Sequence, residues 1–142
     1  MKLLHLFTAV MLWSAACANP VAAQDYAYLS GNLFGDYITG GGADDAEADF
    51  NGEADLTSGR LCYYLEIDGL DNADGIAIHQ GDTGDDGPEV LPLTLPGEPG
   101  DEVCLTVDTT LLGSISEAPA NYYLIVRSPS HPGGAIRGQL HD

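Results

Sequence analysis

His79 and the carboxylates around it are the residues of this sequence best placed to hold a metal ion. His79 ends an apolar run and is followed within one loop by Asp82, Asp85 and Asp86, a set of one nitrogen and several oxygen donors that suits a divalent metal. The competing reading is a strand-end histidine that hydrogen-bonds its neighbours. Two acidic stretches have the form of calcium turns. Glu47, Asp49 and Asn51 offer oxygens at alternate positions before Gly52, and Asp82-Thr-Gly-Asp85-Asp86-Gly87 is a poorer version. Both lack the bidentate glutamate at the twelfth position, where Ser58 and Leu93 stand. A solvated acidic turn explains either stretch without an ion.

Other chemistry is thinner. Ser128, Ser130 and His131 are close in sequence, but neighbours on one turn do not give the geometry of a nucleophile and its base. Past the leader only His79, His131 and His141 remain, too few for a multi-histidine redox centre. Arg137 lies among small and apolar residues on the last segment. Its planar fork of donors fits a structural lock onto backbone carbonyls or a carboxylate. Arg127 is expected to pair with one of the acids that follow His79.

The elements that must position these residues are strands. Tyr122, Leu124 and Val126 alternate with Tyr123, Ile125 and Arg127, and Leu61, Tyr63, Leu65 and Ile67 alternate across Arg60–Asp68. Further strands are expected at 26–34, from 51 to beyond 56, at 75–79, at 89–95 and at 103–107. Gly40 to Asp49 reads as a flexible acidic loop. Pro132-Gly133-Gly134 reads as the turn of a final hairpin, because it joins a fixed φ to residues free to take positive φ. One helix is expected over 108–117, capped by Asp108 or Thr109 and stopped by Pro119. Short strands separated by Gly, Pro and Asp turns indicate an all-β, Greek-key-like antiparallel β-sandwich with one short helix before the C-terminal hairpin.

The N-terminus reads as an export signal. Lys2 precedes an apolar run from Leu3 to Ala16, and Val21-Ala22-Ala23 supplies small residues for cleavage before Gln24. The run is short for a membrane span. Ser14-Ala15-Ala16-Cys17 offers a second route, a lipid anchor at Cys17. The expected organisation is therefore a signal peptide at 1–23 and one domain at 24–142, either periplasmic or secreted. Cys62 and Cys104 are then the cysteines left, and an oxidising compartment favours their disulfide over two buried thiols. Without Lys2 the chain holds three arginines against 22 acids, a formal charge of −19. Such a surface repels nucleic acid and anionic lipid, and leaves an unknown protein or other extracellular ligand as partner.

Taken together, these segments resemble the CHRD domain family, in its exported bacterial single-domain form. Leu29-Ser30-Gly31, Gly59-Arg60-Leu61-Cys62-Tyr63 and Ile76-Ala77-Ile78-His79-Gln80-Gly81 occur in the family's order. The most specific match is Pro132-Gly133-Gly134-Ala135-Ile136-Arg137-Gly138-Gln139-Leu140, preceded by Pro119 and Tyr122-Tyr123. The family's strand commonly reads His-Ile-His, and here Ala77 replaces the first histidine. Arg127 stands where another histidine is usual. The pattern is also similar to copper-zinc superoxide dismutase, by analogy of fold. The resemblance implies a non-catalytic binding or structural module with no cofactor. Calcium bound by the acidic loops is one alternative, and a remnant metalloprotein with a depleted histidine set is the other.

Overall fold

In the computed structural model, which describes residues 25–142, more buried and more exposed residues alternate along about half of the strands, while those nearest the C-terminus are buried almost throughout. The expected signal peptide and Cys17 lie outside the described residues. The strands are β1 (Tyr26–Phe34), β2 (Glu47–Asp55), β3 (Arg60–Asp68), β4 (Gly75–Gln80), β5 (Glu89–Leu93), β6 (Val103–Thr106), β7 (Tyr122–Ser128) and β8 (His131–His141). A helix, α1 (Thr109–Glu117), precedes β7. Every pairing is antiparallel, and the eight strands form one sheet in the order β5-β4-β7-β8-β1-β2-β3-β6.

The sheet curls until its inner face meets itself. Leu29, Leu33, Phe50, Leu61 and Tyr63 from β1–β3 share one buried cluster with Ile76, Ile78, Leu124, Val126 and Ile136 from β4, β7 and β8. Leu112 and Ile115 of α1 enter the same cluster. Near the two ends of the strand order, the Tyr63 hydroxyl on β3 donates to the Thr94 carbonyl (2.6 Å) just beyond β5 and accepts from the Thr94 N–H (2.9 Å). The all-β, sandwich-like expectation holds, with the layers being two halves of one sheet. Helix α1 is capped by Asp108, which accepts from Thr110 and Leu111 N–H at 3.0 Å each.

Two local expectations differ from the structure. Glu47, Asp49 and Asn51 do not form a loop: they are the exposed residues of β2, alternating with buried Ala48 and Phe50. The pleat therefore aims all three outward from one face, and cannot wrap them round an ion as a calcium turn does. The final hairpin turns at Pro129-Ser130, with Ser128 opposite His131. Pro132, Gly133 and Gly134 belong to β8, where the register with β7 shifts between Val126 and Ser128. The same chemistry that suits a turn suits a bulge, since Pro132 has no N–H to give the ladder. Gly134 has φ of 144°, and a Cβ there would meet Ile38 Cδ1 at 2.9 Å.

Cys62 and Cys104 form a disulfide, placed directly opposite each other on β3 and β6. It spans a separation of 42 residues, for which chain entropy alone gives roughly 4 kcal/mol of stabilisation. Among the described residues, no helix is long and apolar enough to cross a membrane.

Candidate functional site

The outer face of β4, β7 and β8 is where most of the chemistry-bearing side chains meet. In register, His79 on β4 stands beside Tyr123 on β7, which stands beside Gln139 on β8, and Arg137 is opposite Ile125. Alternation sends Leu124 and Val126 to the core and must send Tyr123 and Ile125 the other way. Both are nonetheless buried, because the loop after β1 and the loop between β4 and β5 roof this face. Thr39 in the first loop donates to Asp86 in the second, at 3.2 Å.

Arg137 organises the roof from below. It is 3% exposed, with Nη1 3.2 Å from Asp86 Oδ1 and Nη2 3.1 Å from the Asp82 carbonyl. Its guanidinium carbon lies 3.6 Å from the centre of the Tyr123 ring, a cation–π contact out of solvent. The His79 ring stacks on Tyr123 at 5.2 Å, and its Nδ1 is 3.0 Å from the Gly87 carbonyl. A carbonyl only accepts, so Nδ1 carries the proton in the neutral ring and Nε2 is left as a lone pair. Nε2 is buried without a partner. The Tyr123 hydroxyl both accepts from Gly87 N–H (2.7 Å) and donates to its carbonyl (3.2 Å). Gln139 holds the carbonyls of Gly81 (2.7 Å) and Ala120 (2.6 Å).

Two openings remain under the roof. One, of about 230 Å³, is lined by Thr39, His79, Asp86, Tyr123 and Arg137. The other, of about 520 Å³, is lined by Asp36, Tyr37, Ile38, Thr83, Arg137 and Gln139. They share Ile38, Thr39 and Arg137 and so lie side by side; we refer to them as two arms of a cleft.

The residues singled out from the sequence are distributed unevenly over this site. His79, Asp82, Asp86 and Arg137 come together, while Asp85 is an exposed turn residue whose N–H meets the Asp82 carbonyl. His79 and the three aspartates do not converge as ligands. Among the described residues, the one group of three metal-type donors within 4.8 Å is Cys62, Glu102 and Cys104, and both its sulfurs are already bonded to each other. Arg127 pairs with Glu89 at 3.3 Å instead of an acid of the 82–86 loop. The reason is position: Arg127 lies against Gly75 at the far end of β4, and Arg137 already takes Asp82 and Asp86.

Positions 77, 79 and 127 share this outer face, so the two histidines expected from the resemblance are replaced here by a methyl group and a guanidinium. Glu47, Asp49 and Asn51 are on the other half of the sheet, and in register Glu47 faces Asp68 and Asp49 faces Glu66. Gly133 lines the smaller arm. Gly138 lets β8 approach β1, since a Cβ there would meet the Asn32 carbonyl oxygen at 2.2 Å. Ser128 and His131 face each other but share no hydrogen bond, and the Ser128 hydroxyl is unpartnered. Thr39 is the participant that sequence reading did not name, and Tyr123 and Gln139 were read there as parts of the strands and the C-terminal signature, not as site residues. The signal for Tyr123 was its phase, opposite to Leu124.

A search of curated proteins and a search of solved structures each returned no match. The family model described as the CHRD domain matches residues 36–140, from the first roof loop through the Arg137 strand, and the chain belongs to the CHRD domain family.

Proposed function

We propose that this protein is an exported, non-catalytic binding module that takes its ligand in the cleft between the roof loops and the outer face of β7 and β8. The observation carrying this reading is how the polar groups of the site are used. Arg137, Tyr123, Gln139 and His79 Nδ1 all hold the roof in place, while an open arm of about 520 Å³ remains beside them. A fixed roof over a partly apolar cleft suits recognition. No serine, histidine and carboxylate are arranged in it as nucleophile, base and orienter. Export is supported by the leader-like sequence and by the disulfide.

The experiment has two arms. Thr83→Arg fills the larger arm from an exposed position, so capture of a partner by the wild type and its loss in this variant, at unchanged thermal midpoint, is the expected result. Elemental analysis of protein purified without chelator is the second arm. About one equivalent of a transition metal, lost in His79→Ala, would replace this reading with a metalloprotein. A rise in thermal midpoint at micromolar calcium would replace it with an ion-binding one.

A further inference from the structure

The Cys62–Cys104 disulfide does not sit where a purely structural bridge is protected. Cys62 is on the outward face of β3, in phase with exposed Tyr64, and Cys104 is exposed on β6, a four-residue strand that pairs with β3 at the end of the sheet order. Arg60 Nη2 is 3.4 Å from Cys104 Sγ. Cys62 and Arg60 line an open cavity of about 370 Å³ together with Tyr28, Glu53, Tyr64 and Glu102. The register row runs Tyr28, Glu53, Cys62, Cys104 across four strands. On its β2 side Cys62 is therefore bordered by Glu53 and the open cavity.

We propose that this bridge is a thiol–disulfide exchange site whose reaction partner is a dithiol of neutral or positive charge. Exchange requires a thiolate to attack one sulfur from the side opposite the other. The cavity admits it to Cys62. The Cys62–Cys104 bond breaks as a bond forms between Cys62 and the incoming sulfur, and Cys104 leaves as a thiolate. Arg60 is placed to donate to that thiolate, which lowers its basicity and makes it the better leaving group. The second thiolate of the partner then attacks the partner's own sulfur in the mixed disulfide and releases Cys62. Two electrons pass to this chain, the partner becomes a disulfide, and solvent protonates both cysteines.

The charge preference follows from the walls. Glu53 is the register partner of Cys62 on β2 and lines the cavity, and a Glu102 carboxylate oxygen is within 4.8 Å of both sulfurs. These two carboxylates outnumber the one guanidinium of the cavity, Arg60, so its walls repel an anionic thiol such as glutathione, and the net charge of the chain adds to this. The site is on the opposite half of the sheet from the roofed cleft, so it stands or falls independently of it.

The test uses the oxidised wild-type protein under native conditions, with cysteamine and glutathione as monothiol probes and dithiothreitol as dithiol. Acid quench and mass spectrometry locate the mixed disulfide. Cysteamine is expected on Cys62, forming many times faster than global unfolding. Glutathione is expected to be slower, with the gap closing as salt is raised. Arg60→Gln is expected to slow exchange several-fold while leaving the thermal midpoint of the oxidised protein unchanged. Reaction at the global unfolding rate, or a mixed disulfide found mainly on Cys104, would overturn the proposal.

Discussion

Arg137 carries a permanent charge into a place where it is 3% exposed, and such a charge is tolerated when its donors are used. It gives one donor to a carboxylate, another to a backbone carbonyl, and its face to an aromatic ring. Because Asp86 is 65% exposed, the arginine's loss would leave that carboxylate solvated, and the cost is smaller than for a fully buried pair. Arg137→Ala is expected to destabilise by about 3 kcal/mol, the sum of one cation–π contact and two hydrogen bonds at about 1 kcal/mol each. Arg137→Lys should recover less than half of this, since a point charge cannot stack on Tyr123 and reach both partners. Urea denaturation measures the first effect. Hydrogen exchange gives a sharper readout: the 81–88 loop should lose protection in both variants while β2 and β3 keep theirs. Equal protection in that loop would mean Arg137 is not its anchor.

The strand carrying Arg137 owes its position to Gly138, where there is no room for a side chain. Gly138→Ala places a Cβ 2.2 Å from the Asn32 carbonyl oxygen and 3.0 Å from Leu33 Cα, so β1 and β8 must separate. A loss of more than about 2 kcal/mol is expected, at the upper end of ordinary single substitutions, with the thermal midpoint as readout. Asp108→Ala tests a milder device, the cap of α1, and should cost about 1 kcal/mol. These elements also show what local pattern can reveal. Arg60–Asp68 was readable to the residue, because large apolar and polar side chains alternate there without interruption. The first half of Glu47–Asp55 was hidden, although a strand was legible from Asn51: its inward residues include small Ala48, and its acids suggested a solvated loop. Pro132-Gly133-Gly134 misled because turn chemistry is local, whereas a bulge exists only relative to the partner strand. For the site, His79 and Arg137 were identifiable one at a time. Their meeting depends on β4 and β8 flanking β7, a pairing that joins residues 58 apart, as Gln139 and Gly81 show.

At the scale of the whole molecule, one hydroxyl ties the two halves of the curled sheet near its open ends. Tyr63 is fully buried, and its hydroxyl satisfies both the N–H and the carbonyl of Thr94. Tyr63→Phe keeps the ring but strands both backbone groups, so a loss of about 1–3 kcal/mol is expected near neutral pH. The contact also has a pH signature. Burial raises the Tyr63 hydroxyl above its ordinary 10.0, and the hydrogen bond with Thr94 offsets part of that rise. A raised folded value means that the folded state favours the neutral phenol more than the unfolded chain does. The stabilisation is therefore complete below pH 10 and is lost as pH climbs through the folded value. Wild type should lose stability above pH 10 with one proton more in its slope than Tyr63→Phe, at most about 1.4 kcal/mol per pH unit. Urea midpoints of the two proteins, measured from pH 7 to 11, should converge at the alkaline end; a gap independent of pH would show that the two halves are held by something other than this hydroxyl.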